Sequence, residues 1–186
     1  MVFKLRVTLS GIKGFYRVYN VSGETTLYTL HKQLRADMEF PQDQLIMFKA
    51  NDASGDVVAR YGLFDLGAGA VDEVSLAKAA EAGAVSFVYF YDVTNRKSVN
   101  IAIESVDEEG KGPAYPTIVD TKGPNPIEFE NGYVAFEDLP DRQRHLPGEN
   151  PFGGEDDDDE EDLEDEEDGE EEEDDEDGKE IYDENE

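Results

Sequence analysis

From Glu155 to the last residue, 25 of 32 side chains are acidic and only Lys179 is basic. Like charges at that density repel, and the few apolar residues among them cannot offset the entropy of ordering. The segment is therefore expected to be a disordered polyanion. That leaves residues 1–154 to supply the fold. The formal net charge of −31 divides into −24 for the tail (1 − 25) and −7 for the rest (15 − 22). The low pI is thus a property of the tail, and the body is only mildly acidic. A body of this length suits one ordinary domain with a real core.

Cysteine is absent, which excludes disulfides, thiolate zinc sites and a cysteine nucleophile together. The start, "MVFKLRVTLSG", alternates apolar and charged residues and reads as a strand, and as neither a signal peptide nor an anchor. No run approaches the roughly 18 apolar residues that a spanning helix needs. Asn20-Val21-Ser22 fits the glycosylation pattern but stands without a secretion signal. The expected location is cytoplasmic, with no membrane contact.

Hydrophobic periodicity gives the body its outline. Phe3, Leu5, Val7 and Leu9 alternate with polar residues, and "FYRVYNV" returns after Gly11-Ile12-Lys13-Gly14. Leu27, Leu30, Leu34 and Met38 then take helical spacing, with Thr25 or Thr26 as the cap and Pro41 as the stop. "QLIMFKA" and Val57 to Tyr61 read as strands, Gly62 to Val74 as loop, and Ser75 to Ala82 as two turns of helix. "AVSFVYFYDV" is the most apolar strand. Val85, Phe87, Tyr89 and Tyr91 share one face while Val88 and Phe90 share the other, which predicts a central strand covered on both sides. Val99, Ile101 and Ile103 continue as its hairpin partner.

From Asp107 the glycines and prolines become dense, which predicts an irregular arm with short packing pieces such as "PIEFE" and "YVAFEDL". Residues 140–154 read as a linker. The predicted organisation is an α+β domain over 1–139, a linker over 140–154 and the tail over 155–186. The order strand, strand, helix, strand, short strand, short helix, strand predicts a β-grasp-like mixed sheet with one main helix. An extra hairpin strand and the Pro/Gly-rich arm would be appended to it.

The stretches "FKLRVTLSGIKGFYRVYNV", "TTLYTLHKQLRADMEF" and "VYFYDVTNRKSVNIAIESV" resemble the plasmid pRi ORF-three-like family over roughly residues 3–139. Its pattern of a K-V-T-L-x-G-I strand, an R-V strand, a T-L-x-x-L-H helix and a Y-x-Y-D strand end is met in order. It falls at Lys4 to Ile12, Arg17-Val18, Thr26-Leu27 with Leu30-His31, and Tyr89 with Tyr91-Asp92. Where the family continues F-G-D-x-W-x-H, this chain has Val93-Thr94-Asn95-Arg96-Lys97-Ser98. The aspartate, tryptophan and histidine of that polar stretch are missing. The resemblance implies no defined activity and no cofactor. Some members accompany mobile elements, but the acidic body argues against direct nucleic-acid binding.

Candidate chemistry is sparse. His31 and His145 are the only histidines, so a multi-histidine metal site would need both in close company, and without a companion base no serine reads as a nucleophile. His31 lies beside the apolar stripe, where a packed, hydrogen-bonded role is expected. Glu104, Asp107, Glu108 and Glu109 follow a strand and read as a solvated turn. No catalytic residue or cofactor site is assigned. In the tail, Glu173, Asp175, Asp177, Gly178 and Glu184 approach the spacing of an EF-hand loop. Its first ligand is Glu instead of Asp, Glu180 stands where an apolar residue is wanted, and no amphipathic helices flank it. Weak, diffuse binding of divalent cations along the whole tail fits the composition better.

The favoured reading is a non-enzymatic interaction domain whose tail steers it toward a basic protein partner, or shields one. The partner-binding residues would be Glu155, Asp156, Asp157, Asp158, Asp159, Glu160, Glu161, Asp162, Glu170, Glu171, Glu172 and Glu173. A competing reading is a small enzyme or ligand-binding protein using body carboxylates, with Asp92 beside Asn95 and Arg96 as the best site. A third is that the tail serves solubility alone.

Overall fold

The computed structural model describes residues 1–108, 116–140 and 144. All of them belong to the first of two compact units, Met1–Pro147; the second, Gly148–Glu186, holds none of the described residues.

Seven strands form one sheet: β1 (Val2–Thr8), β2 (Tyr16–Ser22), β3 (Met47–Asn51), β4 (Val57–Gly62), β5 (Ser86–Asp92), β6 (Lys97–Asp107) and β7 (Thr117–Lys122). Their order is β4-β3-β5-β6-β1-β2-β7. Alternation decides which side chains go inward. Phe3, Leu5 and Val7 of β1 are no more than 1% exposed, while Lys4, Arg6 and Thr8 face outward.

The helices lie on the inward face. The main helix α1 (Leu27–Met38) is capped by the Thr26 hydroxyl, which accepts from the Thr29 amide at 3.1 Å. It buries Leu27, Leu30, His31, Leu34 and Met38 and ends at Glu39 in a left-handed turn (φ 56°). The short helix α2 (Leu76–Glu81) begins beside it, tied by Leu27 N–H to Val74 O and Leu76 N–H to Thr25 O, both 2.9 Å. A third short helix, α3 (Pro126–Glu130), sets Phe129 edge-on to Phe15 at 6.1 Å and closes the core beyond the start of β2.

Every strand pairing among the described residues is antiparallel, so the expected mixed sheet is not formed. β6 is the reason. It pairs with β1 on one side and β5 on the other, separating two strands that run the same way. β6 also extends to Asp107, so Glu104 and Asp107 stand on a strand and not in a turn.

β5 is interior, but only one of its faces is sealed. Phe87, Tyr89 and Tyr91 are buried, Val88 and Phe90 are half-buried, and Val85 is 44% exposed. β7 was expected to be irregular chain. It pairs with β2 on one side only and is built largely from polar residues, so its alternation is faint in the sequence. Two glycines seat the segment that follows it. Gly123 has φ 75°, and a Cβ there would meet the Gly14 carbonyl oxygen at 2.1 Å; a Cβ on Gly14 would meet Ala135 Cβ at 2.1 Å.

Candidate functional site

The motif residues His31, Tyr89, Tyr91 and Asp92 are all buried, and His31 with Tyr89 ties α1 to β5. His31 is 6% exposed, and its Nδ1 lies 2.6 Å from the Tyr89 hydroxyl. Burial, then the positive charges of Arg35 and Lys32, push the imidazole down to about 4, so it is neutral at pH 7. Burial also holds the Tyr89 phenol protonated. Phe40 stacks flat on Tyr91 at 3.8 Å, and the Tyr91 hydroxyl donates to Glu130, which also takes Lys97 Nζ at 2.6 Å.

Asp92 caps the β5–β6 turn. Its carboxylate accepts from the Asn95 amide at 3.0 Å and the Asn95 side chain at 2.7 Å, which holds its pKa below the usual range. Arg96 completes that turn in a left-handed conformation (φ 56°). Both Asp92 oxygens are thus committed to the hairpin. Glu104 is committed as well, to Arg6 and Lys4 across the β1–β6 pair. No group of three or more histidine or acidic side chains among the described residues is placed to hold a metal. Glu109, His145 and every tail residue named above lie outside the described residues.

Two features were missed in the sequence. Arg17 lies inward on β2, 6% exposed. Its guanidinium donates to the carbonyls of Tyr16, Lys122 and Gly123 and to Asn125 Oδ1, at 2.7–3.1 Å, and packs over Phe15 at 4.7 Å. It therefore pins the end of β7 to β2. Desolvation lowers its pKa from the ordinary arginine value. Tyr19, on the same face, is fully buried, and among the described residues its hydroxyl makes no hydrogen bond of normal geometry, Asp37 being its nearby polar neighbour; burial, then that carboxylate, raise its pKa.

The second feature is on the surface. At the end of the edge strand β4, Leu45, Met47, Leu63, Phe64, Leu66 and Val93 line an apolar groove of about 150 Å³. Leu45 is 57% exposed, Phe64 77% and Leu66 55%. The loop that presents Phe64 and Leu66 is organised by Asp65, whose carboxylate accepts the amides of Gly67 (2.7 Å) and Gly69 (2.8 Å), and is closed by Val71 N–H to Gly62 O at 3.0 Å. Those amides lower the Asp65 pKa. "LFDL" from Leu63 to Leu66, an apolar triplet interrupted by a loop-forming aspartate, is the signal that was there to be read.

Beside the groove, on the outward face, Lys49 of β3 stands directly opposite Arg60 of β4. Neither has an ion pair or hydrogen bond among the described residues. Like charges so placed cost a few tenths of a kcal/mol or more, roughly.

A buried His–Tyr tie, an aspartate that caps a turn and an open apolar groove are the features that mark this α+β domain. The chain belongs to the family described as plasmid pRiA4b ORF-3-like protein, whose family model matches residues 1–165. That match reaches past the expected limit at residue 139 and into the first part of the acidic run. A solved structure of a protein of unknown function from Methanosarcina mazei Go1 is similar at 21% identity, with a TM-score of 0.56. It covers 67% of this chain and 70% of that one, a likeness in fold. No curated protein matches the chain. Among the described residues, no helix is long and apolar enough to cross a membrane.

Proposed function

We propose that the chain is a non-enzymatic protein-interaction domain that docks a partner at the groove beside β4. In this reading the polyanionic tail, residues 155–186, steers the domain toward a basic surface on that partner. The observation that carries it is the groove: contiguous, exposed apolar side chains on a loop held in shape by Asp65. The tail contributes by its charge, −24 over 32 residues, which speeds encounter with a basic surface and is screened by salt.

An enzymatic or ligand-binding use of the body carboxylates has less support, because Asp92 and Glu104 already have partners. A cytoplasmic setting suits the cysteine-free composition. The architecture is read as β-grasp-like: with β6 and β7 set aside, the order β4-β3-β5-β1-β2 with α1 between β2 and β3 is the order that the fold class calls for.

Affinity capture with the full chain, its Phe64→Asp variant and a chain ending at Gly153 tests both parts, at low and high salt. Phe64→Asp should lose the captured partner at either salt. Removal of the tail should slow capture at low salt and remove most of its salt dependence. If Phe64→Asp captured the same proteins as the wild type, docking at the groove would be refuted. Unchanged salt sensitivity without the tail would refute steering.

A further inference from the structure

We propose that the Lys49–Arg60 pair and the apolar groove form one binding surface for an extended acidic segment of a partner protein. An apolar side chain of that segment fills the groove, and a carboxylate two residues away from it meets the two cations. This rests on the docking reading above and adds the chemistry of the partner.

The spacing comes from the sheet register. Gly62, Met47 and Phe90 are aligned across β4, β3 and β5, and the next aligned row on the same face is Arg60, Lys49 and Val88. Leu66 folds over Gly62, its Cδ1 3.1 Å from where a Cβ would be, so the groove opens onto this face. Successive rows on one face of a sheet are about 6.6 Å apart, the spacing of residues i and i+2 in an extended chain. β4 is an edge strand with Val57 and Val58 each 40% exposed, which leaves room for a segment lying along it.

Among the described residues on the outward face of the sheet, these two cations stand apart. On the same outward face, Lys4 and Arg6 share Glu104; beyond it, Lys122 has Glu137. Among the described residues Lys49 and Arg60 have no such partner, and they face each other in a body of net charge −7 (15 − 22 over residues 1–154). A carboxylate between them relieves the repulsion, and the guanidinium offers it paired donors. The site is short. Apolar residues bound it on one side, and the β3–β4 turn with Asp52 and Asp56 bounds it on the other. That geometry suits one or two carboxylates next to an apolar anchor. A nucleic-acid backbone, with its evenly repeated phosphates, needs a longer basic track.

The test titrates the isotope-labelled full chain at low ionic strength with three synthetic peptides, read amide by amide. They are Ser-Glu-Ser-Phe-Ser-Glu-Ser and versions with both Glu replaced by Gln or by Lys. The Glu peptide should shift the amides of Lys49, Arg60, Leu63, Phe64 and Leu66, and bind at least tenfold more tightly there than the Gln peptide. The paired change Lys49→Glu with Arg60→Glu should reverse the preference toward the Lys peptide at the same amides. Equal binding of the three peptides at the groove would overturn the acidic requirement while leaving groove docking intact. Absence of shifts at the groove with every peptide would overturn both. Heparin shifting Lys49 and Arg60 without Leu63 or Phe64, where the Glu peptide does not, would assign the cations to polyanions instead. The Glu-against-Gln comparison needs no variant, so a misfolded double mutant does not weaken it.

Discussion

Replacing His31 by glutamine should remove a defined part of the pH dependence of stability. The native imidazole is pushed down to about 4 from an ordinary 6.5, first by burial and then by Arg35 and Lys32. The unfolded chain therefore binds a proton that the native state refuses between those two values. Stability from this group is fully present above about pH 6.5 and is lost as pH falls toward 4. A native value near 4 corresponds to a loss of about 2 kcal/mol between pH 7 and pH 5, and about 3 kcal/mol by pH 4. Glutamine keeps a polar side chain of similar length beside the Tyr89 hydroxyl, which lies 2.6 Å from Nδ1 in the native protein, but does not titrate. Urea unfolding at pH 7, 6 and 5, followed by circular dichroism, gives the two stability curves. Their difference cancels carboxylates common to both chains. The wild type should lose about 2 kcal/mol more than His31→Gln over that range. Parallel curves would show that His31 is not held neutral in the core, and would refute the buried tie.

Gly123→Ala combines a left-handed φ with a Cβ 2.1 Å from the Gly14 carbonyl, and should cost about 3 kcal/mol in chemical denaturation. Arg17→Met keeps the packing over Phe15 but abandons the carbonyls of Lys122 and Gly123; a loss of about 2–4 kcal/mol is expected, with faster hydrogen exchange along β7. Asp92→Ala should lower stability by about 1 kcal/mol through the β5–β6 turn and leave every ligand-induced melting shift unchanged. A ligand whose melting shift vanished with that change would revive the carboxylate site.

What could be read in the sequence was local. Phe3, Leu5 and Val7 announce their strand by alternation, and Leu27, Leu30, Leu34 and Met38 their helix, because a buried face imposes its period on a contiguous segment. Thr26 and Ser75 are caps within reach of their own helices. The rest depends on pairings between distant segments. That β6 enters between β1 and β5, making the sheet antiparallel, is a long-range choice with no local signature. β7 is half-paired and polar, so neighbouring glycines and prolines hide it. His31 and Tyr89 are 58 residues apart, and their contact exists only once α1 lies on β5. Lys49 and Arg60 look like scattered surface cations until the β3–β4 register sets them side by side. Nothing local marks Arg17 as inward, because the Lys122 and Gly123 carbonyls that receive it lie 105 and 106 residues away.

The most direct test of the account is contact at the groove in the cell. A photo-crosslinking phenylalanine analogue placed at position 64, 77% exposed in the groove, is compared with one at position 119, 48% exposed on the opposite edge strand. The account predicts a protein adduct of defined mass from position 64 and none from position 119. Equal adducts from both positions, or none from position 64, would contradict it.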